Sequence, residues 1–237
     1  MIVVPEGSSW LFVTQPDHAH FAGELLSLWR AGGLPSHPRR DDLLFAAREH
    51  DNGWREADAA PRWNAELGRP HDFLTLPRQD RIEIWERGVC RFAADRPYAA
   101  LLIARHALNL FQGRRGEEGW DSFLDFLADF ERDLRDTADV PAEELETDYR
   151  LIDLTDLISL AACNRWREPA ERHGTRIEFA DAVLRLDPFP LAGATTFRVP
   201  CRRVPARAFS GDADLGGELA TARWGEMTVK VAEVVRP

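Results

Sequence analysis

The spacing of apolar residues changes several times along the chain, and each change predicts a different element. Near the start, two short β-rich runs, IVV and WLFV, flank Gly7, which suits the strained position of a tight turn. Thr14 then precedes a proline and an aspartate, a pattern typical of a capped helix start. We therefore predict a β-hairpin at 1–14 and a helix that runs to about Trp29.

Apolar residues at spacings of three and four predict five more helices. They lie near 43–54, 80–94, 97–111, 119–137 and 141–166. Residues 55–78, in contrast, are rich in Pro, Asp, Asn and Gly and lack a helical period. This composition is typical of a long ordered loop that lines or covers a site.

Beyond Gly174 the pattern alternates, as strands do, in TRIEFADAVLRLDPF, TTFRVPCRRVPARAF and EMTVKVAEVV, with a short helix near 212–223. We expect these strands to join the N-terminal hairpin in one small antiparallel sheet. The predicted fold class is therefore mainly α with a small β appendage. Its parts are the hairpin at 1–14, a helical core at 15–172 and a β-rich appendage at 173–237, packed as a single unit.

Composition and charge argue against several classes of function. A net charge of −10 with acidic residues spread along the chain argues against a nucleic-acid surface. No stretch approaches the roughly 20 apolar residues of a membrane helix, and no basic start precedes a long apolar run. Cys90, Cys163 and Cys201 show no paired spacing, so neither disulfides nor a zinc knuckle is indicated. We expect a cytoplasmic protein with a small-molecule substrate, and a homodimer is possible.

Five ionisable residues fall on the inward faces of the predicted helices or beside them: His18, His50, Asp51, His106 and Asp156. Each would need a buried partner. Imidazoles and carboxylates together hold Fe, Mn, Ni or Zn, so we predict a divalent transition metal of open identity and number. A hydrogen-bonded core histidine explains His18 alone equally well, and Asp153 is expected to be solvated.

The order of these residues is similar to that in the HD-domain superfamily of metal-dependent phosphohydrolases: a first helical His, then HD, a further His, and Asp in DLISL. More closely, TQPDHAHFAGEL, EHDNGWREADAAP, GRPHDF, PYAALLIARH, DLISLAAC and LRLDPFP resemble an uncharacterised bacterial family catalogued as domain of unknown function 3891. This second resemblance covers essentially the whole chain, but it implies no established reaction.

The superfamily resemblance implies an HD-domain-like helical bundle in which His18, His50, Asp51 and Asp156 bind the metal. It also implies that His106 is a ligand of a second metal or a catalytic acid/base. Our candidate catalytic residues are accordingly His106 and Asp51. The leading hypothesis is a hydrolase that acts on a small phosphoester or nucleotide.

Asn52, Trp54 and Arg55 follow the HD pair and are our candidate substrate-binding residues, because a turn beside metal ligands often shapes a pocket. Helix-end packing and a surface salt bridge are the competing interpretations. Few other basic residues flank the motifs; Arg48 and Arg105 are the available ones.

Two other functions stay open. A dinuclear iron oxygenase of the same superfamily would need a further histidine, for which only His20 and His71 are candidates. A non-catalytic helical binding module would keep the scaffold, with or without the metal. The number and kind of bound ions would distinguish the three hypotheses.

Overall fold

The structure is a computed structural model that describes residues 1–234. The end of the predicted EMTVKVAEVV run, and with it the end of the predicted 173–237 segment, lies outside the described residues. Within them the helices are α1 Gln15–Ser27, α2 Arg40–Glu49, α3 Arg55–Ala59, α4 Arg78–Cys90, α5 Pro97–Phe111, α6 Asp121–Ala138, α7 Ala142–Cys163 and α8 Asp212–Thr221.

The strands are β1 Ile2–Glu6, β2 Ser9–Val13, β3 Trp63–Asn64, β4 Arg69–Pro70, β5 Ala170–Arg172, β6 Thr175–Ala180, β7 Val183–Asp187, β8 Thr195–Pro205 and β9 Trp224–Glu233. The predicted N-terminal hairpin is confirmed, with Gly7 at a φ of 60° between β1 and β2. The predicted cap of α1 is also confirmed, because the Thr14 side chain accepts from the main-chain N–H of Asp17 at 3.0 Å.

The second helix ends earlier than its pattern predicts. α2 stops at Glu49, His50 still has helical backbone angles, and Asp51 leaves them with a φ of −104° and a ψ of 21°. A 3₁₀ turn, Asn52–Trp54, follows. His50 and Asp51 therefore lie at a break between two helical segments, which directs their side chains differently from neighbours on a continuous helix.

The predicted fold class is wrong in its β portion. One sheet contains seven strands in the order β1-β2-β8-β9-β7-β6-β5. Its pairs are antiparallel except for β7 and β9, which are parallel. Helices hold 49% and strands 22% of the residues, and the mixed sheet curls into a half-barrel. The fold is thus α/β and not a helical bundle with a small antiparallel appendage.

Helices pack on both faces of the sheet. On β2, Leu11 and Val13 belong to the main core, whereas Phe12 between them belongs to a second cluster with Leu215 and Leu219 of α8, as expected from side chains that alternate along a strand. The main core combines the sheet with α1, α2 and α4–α7. It is this layer of helices that carries the candidate site.

The region 55–78 is less irregular than predicted. It contains α3 and the two-stranded ribbon β3-β4, and the remainder has no regular strand or helix. None of the helices in residues 1–234 combines the length and the apolar character needed to span a bilayer.

Candidate metal centre

Five buried ionisable side chains meet in the interior. They are the residues that the sequence singled out: His18 on α1, His50 and Asp51 after α2, His106 on α5 and Asp156 on α7. None is more than 6% exposed. We call them the His-Asp cluster. Ionisable groups at this depth are normally paired or bound to a metal.

Helical periodicity brings these side chains inward. On α1, His18 shares a face with buried Phe21. On α7, Asp156 lies one turn after Ile152 and one turn before Ser159, both fully buried. None of the described strands contributes a residue to the cluster, so the error in the predicted fold class does not change which five residues meet.

The cluster offers ligand atoms at distances that one ion can bridge. His18 Nε2 is 2.7 Å from Asp51 Oδ2. His50 Nε2 is 3.2 Å from Asp156 Oδ1 and 3.7 Å from Asp51 Oδ2. Since ligands lie about 2.1 Å from a transition metal, two of them can be up to about 4.2 Å apart. The cluster divides into two groups, His18-His50-Asp51 and His50-His106-Asp156, which share His50.

The hydrogen bonds of His18 determine which ring nitrogen carries its proton. The Ser159 hydroxyl donates to the main-chain oxygen of Asp156 at 2.9 Å, so toward His18 it can only accept. His18 Nδ1, 2.8 Å from Ser159 Oγ, must therefore be the N–H donor. In the neutral ring the lone pair is then on Nε2, which faces the Asp51 carboxylate.

His50 has the same arrangement with a main-chain partner. Its Nδ1 lies 2.8 Å from the carbonyl oxygen of Ala47, and because a carbonyl only accepts, Nδ1 donates. Nε2 is buried and has no hydrogen-bond partner within residues 1–234, although Asp156 Oδ1 is 3.2 Å away. The nitrogen and the carboxylate oxygen thus face each other at a distance that either a proton or a metal ion between them would stabilise.

His106 has a similar arrangement, but its contacts are longer. The Tyr149 hydroxyl lies 3.4 Å from both Asp153 Oδ1 and His106 Nδ1. When the hydroxyl donates to the Asp153 carboxylate, it accepts from His106 Nδ1. His106 Nε2 faces Asp156 Oδ2 at 3.7 Å. All three imidazoles therefore turn Nε2 toward two carboxylates. Outer hydrogen bonds of this kind orient the histidines of metal sites.

The charges of the cluster are strongly coupled. Burial lowers the pKa of His50, but the carboxylates of Asp51 and Asp156 outweigh it and raise the pKa to about 9. Burial raises the pKa of Asp156, but His50 and the other histidines bring it well below its usual range. Burial is the main cause of the lowered pKa of His106. In the metal-free protein a proton on His50 thus balances the carboxylates, and a metal ion would have to displace it.

The two histidines that a second metal would require lie elsewhere. His20 is exposed on α1. His71 donates through Nδ1 to the carbonyl oxygen of Thr75 at 2.9 Å and lines a hollow that contains none of the His-Asp cluster. Among the described residues neither one belongs to a possible ligand group.

The three predicted substrate-binding residues have different surroundings. Trp54 is buried and lines a cavity beside the cluster. Asn52 is buried, and its side chain donates to the main-chain oxygens of Glu49 and Gly88, so it holds the turn after Asp51 in place. Arg55 is exposed and pairs with Glu49 at 2.5 Å.

The cavity beside the cluster has a volume of about 190 Å³ and reaches Asp51, His106 and Asp156. Its aromatic wall consists of Trp54, Phe73, Trp85 and Phe111. We call it the Trp54 cavity. Phe73, which lines this cavity, belongs to the segment 55–78 that the sequence predicted to line or cover a site.

Sequence reasoning missed the cationic residues of this cavity. Arg81 and Arg114 line it, whereas the basic residues near the motifs have other contacts: Arg105 pairs with Glu146 at 2.9 Å and Arg48 lies over the Phe45 ring. Arg81 lies in the first turn of α4, far along the chain from the motifs, and Arg114 ends a 3₁₀ turn, Gln112–Arg114. No local pattern could have linked them to the HD pair.

Asp153, which was predicted to be solvated, is buried instead. Its carboxylate contacts His173 Nε2 at 2.7 Å and an Arg172 nitrogen at 3.2 Å, and it accepts from Tyr149. The strand region after α7 provides both basic partners. Asp153 therefore anchors the residue that orients His106.

Comparison with known proteins identifies the family. The sequence profile described as "Protein of unknown function (DUF3891)" matches residues 1–206. No curated protein and no solved structure matches the chain. Because the profile covers most of the chain and includes the whole His-Asp cluster, the protein belongs to the DUF3891 family.

Proposed function

We propose that this protein is a metal-dependent hydrolase of HD-domain type that acts on a small phosphoester. The observation that carries the proposal is the common orientation of three buried imidazoles. Each uses Nδ1 for an outer hydrogen bond and turns Nε2 toward the carboxylates of Asp51 and Asp156. A metal site accounts for this shared orientation, because outer hydrogen bonds at Nδ1 leave Nε2 free to bind an ion.

The ion would be held by His18, His50, Asp51 and Asp156. Two neutral imidazoles and two carboxylates suit Fe, Mn, Ni or Zn and offset a 2+ charge. A bound ion of this kind lowers the pKa of water toward neutrality. Both ligand groups contain His50, which favours a single ion.

His106 and Asp51 are the proposed catalytic residues because both line the Trp54 cavity. The lowered pKa of His106 keeps its imidazole neutral near pH 7, so Nε2 can accept a proton. Tyr149 and Asp153 hold the opposite nitrogen in the donor form. Asp51 Oδ2 is also 2.7 Å from His18 Nε2, close enough for both atoms to bind one ion.

The HD-type assignment is supported by the order of the cluster along the chain: His, then His-Asp, then His, then Asp, on helices that surround one centre. The alternative of a dinuclear iron oxygenase gains no support, because His20 and His71 lie outside the cluster.

Metal content tests this function first. We expect the purified protein, prepared without a histidine-rich tag, to contain one equivalent of a divalent transition metal by elemental mass spectrometry, and to hydrolyse p-nitrophenyl phosphate. His50→Ala and Asp156→Asn should lose both the metal and the activity, because each removes a ligand atom from the cluster.

His20→Ala and His71→Ala are matched controls that remove a histidine outside the cluster, and both should keep metal and activity. A folded wild-type protein that binds no metal after reloading with Mn, Fe, Ni and Zn would contradict the proposal. Two equivalents of iron would instead support the oxygenase.

A further inference from the structure

The Trp54 cavity has an uneven distribution of charge. The side that reaches the His-Asp cluster carries carboxylates. The cationic side chains that line the cavity are Arg81 and Arg114. Within residues 1–234 no carboxylate lies within ion-pair distance of Arg81, whose guanidinium stacks over the Trp120 ring at 5.2 Å. Arg114 pairs with Glu117 at 3.1 Å, and both side chains are 49% exposed. Such an exposed pair is weak, so both guanidiniums are available to an anion.

Buried polar atoms without partners converge on the same cavity. Arg81 Nε, Trp54 Nε1 and Gln15 Oε1 are each buried and have no hydrogen-bond partner among the described residues, and all three residues line the cavity. Gln15 and Trp54 are at most 3% exposed. Unsatisfied buried groups are costly, and a polar ligand in the cavity would satisfy them.

The positive charges of Arg81 and Arg114 repel each other. Burial and, after it, the positive charge of Arg114 lower the pKa of Arg81. Both side chains line the same cavity, and the carboxylate of Glu117 offsets part of this effect. A dianion between them would relieve the repulsion, and a phosphoryl group offers enough oxygens to contact both.

The size of the cavity limits the remainder of the ligand. Its volume of about 190 Å³ is below the roughly 300 Å³ at which pockets for drug-sized ligands begin. The surfaces next to the arginines are aromatic or aliphatic, and Leu74 and Leu110 at the opening are 67% and 49% exposed. A small apolar or aromatic group fits this surface, whereas a nucleoside is too large and too polar.

A larger hollow of about 620 Å³ adjoins the cavity but reaches only Asp156 of the cluster. Its arginines are neutralised, because Arg105 pairs with Glu146 and Arg172 with Asp153. The Trp54 cavity is therefore the better site for an anion.

We propose that the Trp54 cavity binds a small phosphomonoester with an aromatic or short apolar organic group, and that Arg81 and Arg114 hold its phosphoryl oxygens. This inference rests on the proposed hydrolase function. In the reaction a water oxygen forms a bond to phosphorus, and the bond from phosphorus to the ester oxygen breaks. The proton lost by water ends on the ester oxygen, which leaves as a phenol or an alcohol, and inorganic phosphate is released.

Binding of phenylphosphonate, which cannot be hydrolysed, tests the inference without catalysis. Titration of the metal-loaded protein should change the fluorescence of Trp54 and Trp85, with competition by inorganic phosphate. We expect Arg114→Gln and Arg81→Gln each to weaken binding about 10-fold or more, since each removes a charge-assisted hydrogen bond. Arg81→Lys should recover part of the loss, and metal content should stay at the wild-type level.

Arg115→Gln is the matched control, because Arg115 is exposed, pairs with Asp125 at 2.7 Å and does not line the cavity. Wild-type affinity in Arg114→Gln and Arg81→Gln would overturn the inference, as would tighter binding of adenosine 5′-monophosphate than of phenylphosphonate. Arg114→Gln keeps the test valid if Arg81→Gln does not fold. Failure of the hydrolase itself would be recognised separately, as absence of metal or of turnover in a protein that still binds phenylphosphonate.

Discussion

At the residue scale, the hydrogen bond at Nδ1 of each cluster histidine determines whether Nε2 carries a lone pair in the neutral ring. Ser159 and the Ala47 carbonyl fix the donors of His18 and His50, which sets the direction of the remaining lone pairs. Ser159 and Asp156 are buried on the same helix, three residues apart, so the helical period places both on one face. It could not predict that Ser159 meets a histidine 141 positions away, because that contact depends on how α1 and α7 pack.

The protonation of His50 gives a prediction at this scale. In chelator-treated protein, the free energy of unfolding should fall as the pH rises from 6.5 to about 9. Because the folded pKa lies above the unfolded value, the contribution is fully present below pH 6.5 and is lost as the pH passes the folded value. Its size is at most about 3 kcal/mol. Urea unfolding at several pH values measures it.

The matched variants are His50→Gln, which should show a flatter pH dependence, and His20→Ala, which should show the wild-type dependence. Asp156 contributes in the opposite sense: its lowered pKa gives stability that is present above its unfolded value of 3.8 and is lost in acid. An unchanged slope between pH 6.5 and 9 in His50→Gln would contradict the assignment of the proton to His50.

At the scale of elements, the end of α2 is determined by α4. Arg87 donates to the carbonyl oxygen of Gly53 at 2.8 Å, and Arg91 to that of Asn52 at 3.1 Å. The segment after Asp51 is thus attached to the neighbouring helix. The sequence predicted α1 and α4–α7 from their own periodicity, but it extended the second helix to residue 54 because the contacts that end it are tertiary.

Gly53 tests this attachment. A Cβ at this position would lie 2.1 Å from the carbonyl oxygen of Ile84 and 3.0 Å from Gly88 Cα. We expect Gly53→Ala to lower the free energy of unfolding by about 2–3 kcal/mol or more, and to weaken metal binding because Asp51 is displaced. Chemical denaturation and metal titration measure the two effects.

The control for Gly53→Ala is Gly217→Ala on α8, where an added Cβ meets no atom within 4 Å. Removal of a helical glycine should stabilise the protein by up to about 1 kcal/mol. Equal effects of the two substitutions would mean that the close contact between Gly53 and α4 does not determine the position of Asp51.

At the scale of the whole molecule, the strands were predicted but their assembly was not. The alternation of β6–β9 was visible in the sequence, but the pairing of the strands was not. The pairing of β2 with β8, for example, joins Trp10 to Val204. The parallel pairing of β7 with β9 requires a crossover through β8 and α8. Such distant partners leave no trace in local periodicity, so the sheet was taken for an appendage.

Phe197 on β8 shows that sheet and helices share one core. Its ring lies 5.1 Å from that of Phe21 on α1. We expect Phe197→Ala to destabilise the protein by about 3–5 kcal/mol, with helix and sheet unfolding in one transition. Far-ultraviolet circular dichroism and tryptophan fluorescence, recorded on the same samples, should give coincident curves.

Arg198→Ala, at the next position, changes a side chain that is 72% exposed and should alter stability by less than about 0.5 kcal/mol. Separate transitions for helices and sheet in Phe197→Ala would indicate that the helical layer folds independently, which would be inconsistent with the shared core.

The central place of β9 has a consequence for biosynthesis. β9 follows every other strand in chain order, yet it lies between β8 and β7. Until residues 224–233 have been translated, β7 and β8 each present an open edge to which another nascent chain could add. The helices that carry the His-Asp cluster precede β9 in the chain, so they are synthesised before this gap closes. The seven-stranded sheet can therefore be completed only after β9 has been translated.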